Sequence, residues 1–147
     1  MQDRQLTLTR IMQAAPAKLW RCWTDPALLP LWFGPEGYSC QTIEIDLVPG
    51  GQWRFDMIAP DGTVFPNRHR YMAHEPPGRI EFLMDSGNDA DVPMQVMVVI
   101  EPFGSGSRLT QTITLPSAEA RQIAIGFGAE KLGLQTLDKM DALATTL

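Results

Sequence analysis

From residue 41 to residue 115 the chain keeps a hydrophobic period of two, and turn-forming residues break it at short intervals. Gln41, Ile43, Ile45 and Leu47 alternate with Thr42, Glu44 and Asp46, and Pro49-Gly50-Gly51 then turns the chain. Trp53, Phe55 and Met57 alternate with Arg54 and Asp56 up to Pro60-Asp61-Gly62. Residues 64–75 read as one long strand with Pro66 at its exposed start, closed by Pro76-Pro77-Gly78. Ile80, Phe82 and Met84 share the next face, and a polar loop fills 86–91. Residues 94–102 and 108–115 are two further strands around Gly104-Ser105-Gly106. Period two is the signature of a sheet with one face buried. Short turns can join only antiparallel neighbours, because a parallel crossover takes a dozen residues or more. Five of these strands are joined by short turns and should therefore be antiparallel neighbours in one sheet.

Helical signals flank this block. Residues 5–13 read as a first strand, with Leu6, Leu8 and Arg10 on one face and Thr7, Thr9 and Ile11 on the other. Pro16 suits a first helical turn, and Leu19, Trp20 and Trp23 follow at helical spacing. Asp25-Pro26 ends that helix and opens a second short one, which Gly34-Pro35 stops. After Ser117 the period is helical again, with an apolar stripe through Ile123, Phe127, Leu134, Leu137 and Ala144. Gly126, Gly128 and Gly133 interrupt it, each at a cost of up to about 1 kcal/mol against alanine. The glycines predict either an irregular opening at 126–128 before a straight helix, or a close approach of helix to sheet. A long amphipathic helix must bury its stripe, and the inner face of the sheet is the only large apolar surface available. The expected fold is α+β, order β-α-α-β-β-β-β-β-β-α: a curved antiparallel sheet gripping one long C-terminal helix, with two short helices.

A chain of 147 residues suits one domain, 1–147. The formal charge of −5 argues against nucleic acid, which needs a basic patch to displace counterions. Arg68-His69-Arg70 is the densest basic cluster and is too short for that role. Cys22 and Cys40 fit no metal spacing and read as small buried or half-buried residues. No stretch approaches the roughly 20 apolar residues of a membrane helix, and Asp3 and Arg4 interrupt any signal-like start. A cytoplasmic protein with no metal and no cofactor is the expectation.

The run Pro16-x-x-Leu19-Trp20-x-x-Trp23-Thr24-Asp25-Pro26, followed by Trp32-Phe33-Gly34-Pro35, carries a resemblance. It continues through Pro49-Gly50-Gly51-Gln52-Trp53-Arg54-Phe55, Phe65-Pro66-Asn67, Arg79-Ile80-x-Phe82, Arg108-Leu109-Thr110 and Gly126-Phe127-Gly128. Together these resemble the family homologous to the C-terminal domain of the activator of the ninety-kilodalton heat-shock protein's ATPase, within the START-like superfamily. The resemblance covers residues from about 6 to the end. It implies the same helix-grip (birch-pollen-allergen-like) fold. Relatives usually carry Gly-Trp before the Leu-rich end; here Leu132-Gly133 stands in that place.

The candidate site follows from the inner faces. Trp53, Phe55, Met57, Phe82 and Met84 alternate on neighbouring strands. Trp32, Phe33, Phe127 and Leu134 approach from the helices. These residues build either a solid core or the lining of an apolar cavity, with Trp32 and Phe33 near its entrance. Asn67, His69 and Tyr71 share one face of the long strand; if that face points inward they would orient a ligand's polar end, and otherwise His69 is an ordinary core or exposed histidine. His69 and Tyr71 are also the weak catalytic candidates, since a histidine beside a phenol can move a proton. His74 reads as solvated.

Three functions follow. The leading one is a non-enzymatic domain binding a small hydrophobic or amphipathic ligand. The alternative, implied by the resemblance, is a chaperone-associated partner module in stress response. The least favoured is a cyclase- or dehydratase-like enzyme using His69 and Tyr71. A monomer or homodimer without membrane insertion is expected in each case.

Overall fold

The computed structural model describes residues 2–147. A single 3-10 turn, Gln2–Arg4, leads into β1 (Gln5–Met12), followed by α1 (Pro16–Thr24) and α2 (Leu29–Trp32). Six strands come next: β2 (Ser39–Ile45), β3 (Gln52–Ile58), β4 (Val64–Glu75), β5 (Arg79–Asp85), β6 (Met94–Phe103) and β7 (Gly106–Thr114). Two helices, α3 (Ala118–Gly126) and α4 (Ala129–Ala144), close the chain. All seven strands form one curved antiparallel sheet in the order β1-β7-β6-β5-β4-β3-β2. The hairpin turns put β2 to β7 side by side, and β1 joins the far edge against β7. The expected α+β helix-grip architecture is the one found.

The inner face of the sheet holds Leu8, Trp53, Phe55, Tyr71, Ile80, Phe82, Val96, Val98 and Leu109, all buried. Leu19, Cys22 and Trp23 of α1 and Leu137, Met140 and Ala144 of α4 cover it. Alternation along each strand and helical spacing along α1 and α4 thus meet in one core. A Cβ at Gly133 would overlap Leu8 Cδ1, so this glycine lets α4 approach β1 closely. Charged contacts fix the helix. Arg10 donates twice to Asp138, at 2.9 and 2.8 Å, and Asp141 accepts from the backbone of Gln13 and Ala14. Lys139 Nζ donates to three carbonyls, Gly34 O, Pro35 O and Tyr38 O, at 3.1–3.2 Å, and ties α4 to the segment between α2 and β2.

The C-terminal stripe is interrupted where the glycines stand. Gly128 takes a left-handed conformation, φ 79°, which ends α3 and restarts the chain as α4. Gly126–Gly128 is therefore the break, and Gly133 is the close approach. Because the break re-aims the chain, α3 buries no residue, and Ile123 and Phe127 face solvent. The second short helix also starts later than Pro26. Asp25 accepts from Ala27 N, making a turn, and α2 begins at Leu29.

Two strands depart from strict alternation. In β2 a bulge between Thr42 and Glu44 turns Ile43 outward, 64% exposed, while Ile45 packs on the core. In β4 a register shift between Tyr71 and Ala73 sets His74 opposite Ile80. On the outer face, Arg68 and Asp85 form a buried bidentate pair at 2.9 Å, with Asp89 and Arg70 joining it. Burial alone would raise the Asp85 carboxyl, but the hydrogen bonds and charge of Arg68 outweigh it and hold it below the ordinary range. No helix among the described residues is long and apolar enough to cross a membrane.

Candidate functional site

One strand supplies the polar groups of the interior. β4 points Asn67, His69 and Tyr71 to the inner face, since His69 pairs with Trp53 and Tyr71 with Phe82 across the ladder. The register shift after Tyr71 brings His74 to that side too, its ring centroid 4.8 Å from that of Tyr71. Arg68 and Arg70, at the alternate positions, take the outer face where both bond to Asp85 and Arg68 also to Asp89. α1 adds the indole of Trp23, whose Nε1 is buried without a partner among the described residues.

His69 is the centre of this arrangement. It is fully buried and stacks on Phe82, centroids 4.4 Å apart and planes 25° apart. Phe33, Trp53 and Phe55 present their edges or faces to it at 4.9 to 5.2 Å, near right angles. Trp53 and Phe55 stack on each other at 3.6 Å. Around Phe82 stand three side chains carrying polar atoms: His69, Tyr71 at 5.8 Å and Trp23 at 5.9 Å between centroids. Among the described residues, both ring nitrogens of His69, Tyr71 Oη, Trp23 Nε1 and both nitrogens of His74 find no hydrogen-bond partner. A buried polar atom left unpaired costs about 1–3 kcal/mol, and folded proteins carry few of them. The rings of His69, Tyr71 and Trp23 stand around Phe82, with His74 next to Tyr71, while Arg70 Nε, unpaired as well, lies on the outer face. By contrast Trp32 Nε1 donates to Cys22 O at 2.9 Å, and Trp53 Nε1 donates to Thr42 Oγ1 at 3.0 Å. Those two indoles are satisfied structural residues.

Burial sets the protonation. It pushes the His69 imidazole down to about 3, with the distant charge of Asp85 working weakly the other way. The ring is therefore neutral at pH 7 and offers one donor and one acceptor. Burial raises the Tyr71 phenol and lowers His74. Cys22 and Cys40 are pushed up to about 11 and about 12 by burial, so neither is a poised thiolate. Among the described residues, no group of three or more His, Cys, Asp or Glu side chains is arranged to hold a metal.

A groove of about 530 Å³ opens at the end of the sheet where β4 begins and β5 ends. Phe65, Asn67, Met84, Met94 and Pro116 line it, with Asp85 and Asp91 on the rim. Met84 lies opposite His69 in the β4–β5 register, and Asn67 opposite Phe55. The groove is thus separated from the imidazole by one half-buried layer of side chains.

The structure brings together Trp32, Phe33, Trp53, Phe55, His69, Tyr71 and Phe82, and packs Met57, Met84 and Leu134 against them. Asn67 sits at the groove end, its amide donating to Phe65 O. Phe127 is a correction: it is 77% exposed at the end of α3, because the left-handed Gly128 turns that helix away from the inner face. His74 is a second correction, since its ring is half-buried against Tyr71. Strand parity alone puts His74 outside; the shift that reverses it leaves no mark in the sequence. Trp23 was legible as an aromatic residue of α1, but its unpaired indole was not.

The sequence matches the model of the family described as Activator of Hsp90 ATPase homolog 1-like protein over residues 13–145. Solved structures agree. A protein of Nitrosomonas europaea superposes with a TM-score of 0.86 at 25% identity, covering 98% of this chain and 96% of its own. A protein of Mycobacterium smegmatis gives 0.86 at 26% identity, covering 99% and 93%. The AHSA1 protein of Silicibacter pomeroyi gives 0.76 at 26%, covering 97% and 98%. No protein of curated function matches the chain.

Proposed function

We propose that this chain, which belongs to the family of Activator of Hsp90 ATPase homolog 1-like proteins, is a binding domain for a small, mostly apolar molecule held between the sheet and its covering helices. One observation carries the reading: the rings of His69, Tyr71 and Trp23 stand around Phe82, and each carries a buried polar atom without a partner. A ligand hydroxyl, carbonyl or amide would satisfy them. The molecule enters by the groove at the β4–β5 end, and Met84 moves aside to admit it, as an unbranched thioether can. Its polar group is uncharged where it meets His69. The imidazole is neutral there, and the adjacent Arg68 lies on the opposite face and is already paired with Asp85.

Affinity comes from apolar burial, at about 25 cal/mol per Å² before the costs of association. The polar atoms set orientation. The test is a thermal-shift screen of small neutral apolar molecules against wild type and a His69→Phe, Tyr71→Phe double variant. A compound that raises the wild-type melting temperature and leaves the variant unmoved supports the reading. Stimulation of a chaperone ATPase by this chain, with no compound moving the wild type, overturns it in favour of the partner module.

A further inference from the structure

The two ends of the sheet are built differently. β2, at one edge, is bulged between Thr42 and Glu44 and carries that glutamate, two devices that discourage pairing with another strand. β1, at the other edge, pairs with β7 over all eight residues without a shift. It has no proline and no lysine, and its one charge, Arg10, is turned to Asp138.

The backbone phase of β1 is fixed by its hydrogen bonds. Leu115 N donates to Arg4 O at 2.8 Å, so Arg4 turns its carbonyl, and Leu6, Leu8, Arg10 and Met12 their amides and carbonyls, to β7. Gln5, Thr7, Thr9 and Ile11 turn theirs to the open edge. The guanidinium of Arg121 confirms this phase, donating from Nε to Gln5 O at 2.6 Å from the edge side. Thr7, Thr9 and Ile11 are exposed, and among the described residues their edge-facing backbone groups have no protein partner.

We infer that β1 pairs antiparallel with β1 of a second copy of this chain, about a two-fold axis at Thr9. In that register Thr9 exchanges both backbone bonds with its copy, and Thr7 exchanges both with Ile11. Every free edge group from Thr7 to Ile11 is then satisfied. The outer-face contacts are Thr9 on Thr9 and Thr7 on Ile11, β-branched pairs that favour sheet pairing. On the inner face each Arg10 meets Leu8, so no like charges oppose one another. A register centred one residue earlier would instead set Gln5 against Ile11 and compete with the Arg121 bond. The sequence Thr7-Leu8-Thr9-Arg10-Ile11 thus pairs with an antiparallel copy of itself with no like charges opposed, and leaves the groove at the β4–β5 end untouched.

Sedimentation equilibrium of the full chain tests this. Wild type should run at twice the chain mass of 16.4 kDa, and Thr9→Pro, which removes the central amide, at 16.4 kDa with an unchanged circular-dichroism spectrum. Should Thr9→Pro not fold, Thr9→Lys gives the same reading through charge repulsion across the axis. In a Cys40→Ser background, Thr9→Cys should crosslink into dimers under mild oxidation and Ile43→Cys on the bulged edge should not. Wild type at 16.4 kDa up to millimolar concentration, a dimer that survives both Thr9 variants, or crosslinking through Ile43→Cys instead would overturn the inference.

Discussion

The imidazole of His69 stacks on the ring of Phe82 with both its nitrogens unpaired, 4.4 Å between centroids and 25° between planes. An apolar side chain of similar size would fill the same space without that cost. The expense of the histidine, and of Tyr71 and Trp23 beside it, is what points to a bound partner for those atoms.

Acid should therefore destabilise the protein through His69. The unfolded chain binds a proton near pH 6.5, and the folded imidazole resists until about pH 3. Between those values the unfolded state holds more protons, so stability rises with pH, and each unit of acidification costs about 1.4 kcal/mol through this group. His74 is lowered as well and adds to the loss in the same direction. Asp85 has a lowered carboxyl, so its contribution is present above its ordinary 3.8 and fades only below it. Urea titrations of His69→Phe between pH 7 and pH 4 should show a much flatter stability profile than wild type.

The two kinds of C-terminal glycine should respond in opposite ways. Gly133→Ala drives a methyl into Leu8 and should cost about 1–3 kcal/mol, with partial recovery in the Leu8→Ala background. Gly126→Ala meets nothing and should stabilise the protein by about 0.4–1 kcal/mol. Chemical denaturation of the three variants decides both.

Asp85 and Arg68 should behave as a buried pair. Asp85→Ala leaves the guanidinium of Arg68, 8% exposed, without its bidentate partner and should cost about 3–5 kcal/mol. The double variant Arg68→Met, Asp85→Leu should be far closer to wild type. A double-mutant cycle from melting curves measures the difference.

Lys139 should act as a latch. Lys139→Met strips one donor from three carbonyls between Gly34 and Tyr38. Amide hydrogen exchange should quicken in residues 34–38 and stay unchanged in β6 and β7.

The fold was legible because its signals are local. Pro-Gly punctuation, period-two strands and the Trp-rich helix each state their own element, and the antiparallel order follows from short turns. The break in the C-terminal helix was legible as well, in Gly126 and Gly128, but not its consequence, that Phe127 and Ile123 leave the core. What the sequence hides are register events. The β2 bulge that exposes Ile43 and the β4 shift that turns His74 inward depend on tertiary closure of the sheet. That His69 and Tyr71 share a face was legible from their spacing; that this face points inward follows from the register with Trp53 and Phe82. The unpaired state of their polar atoms was not, because it depends on what fails to approach them. Arg68 and Asp85 are seventeen positions apart, and only the β4–β5 register makes them partners.

Native mass spectrometry of the protein purified from its own host, under conditions that keep non-covalent complexes, addresses the central claim most directly. A retained small molecule should add its mass to each chain of 16.4 kDa in wild type and be missing from the His69→Phe, Tyr71→Phe double variant. Bare chains in both, or an adduct that the double variant keeps in full, would contradict the assignment of those buried polar atoms to a ligand.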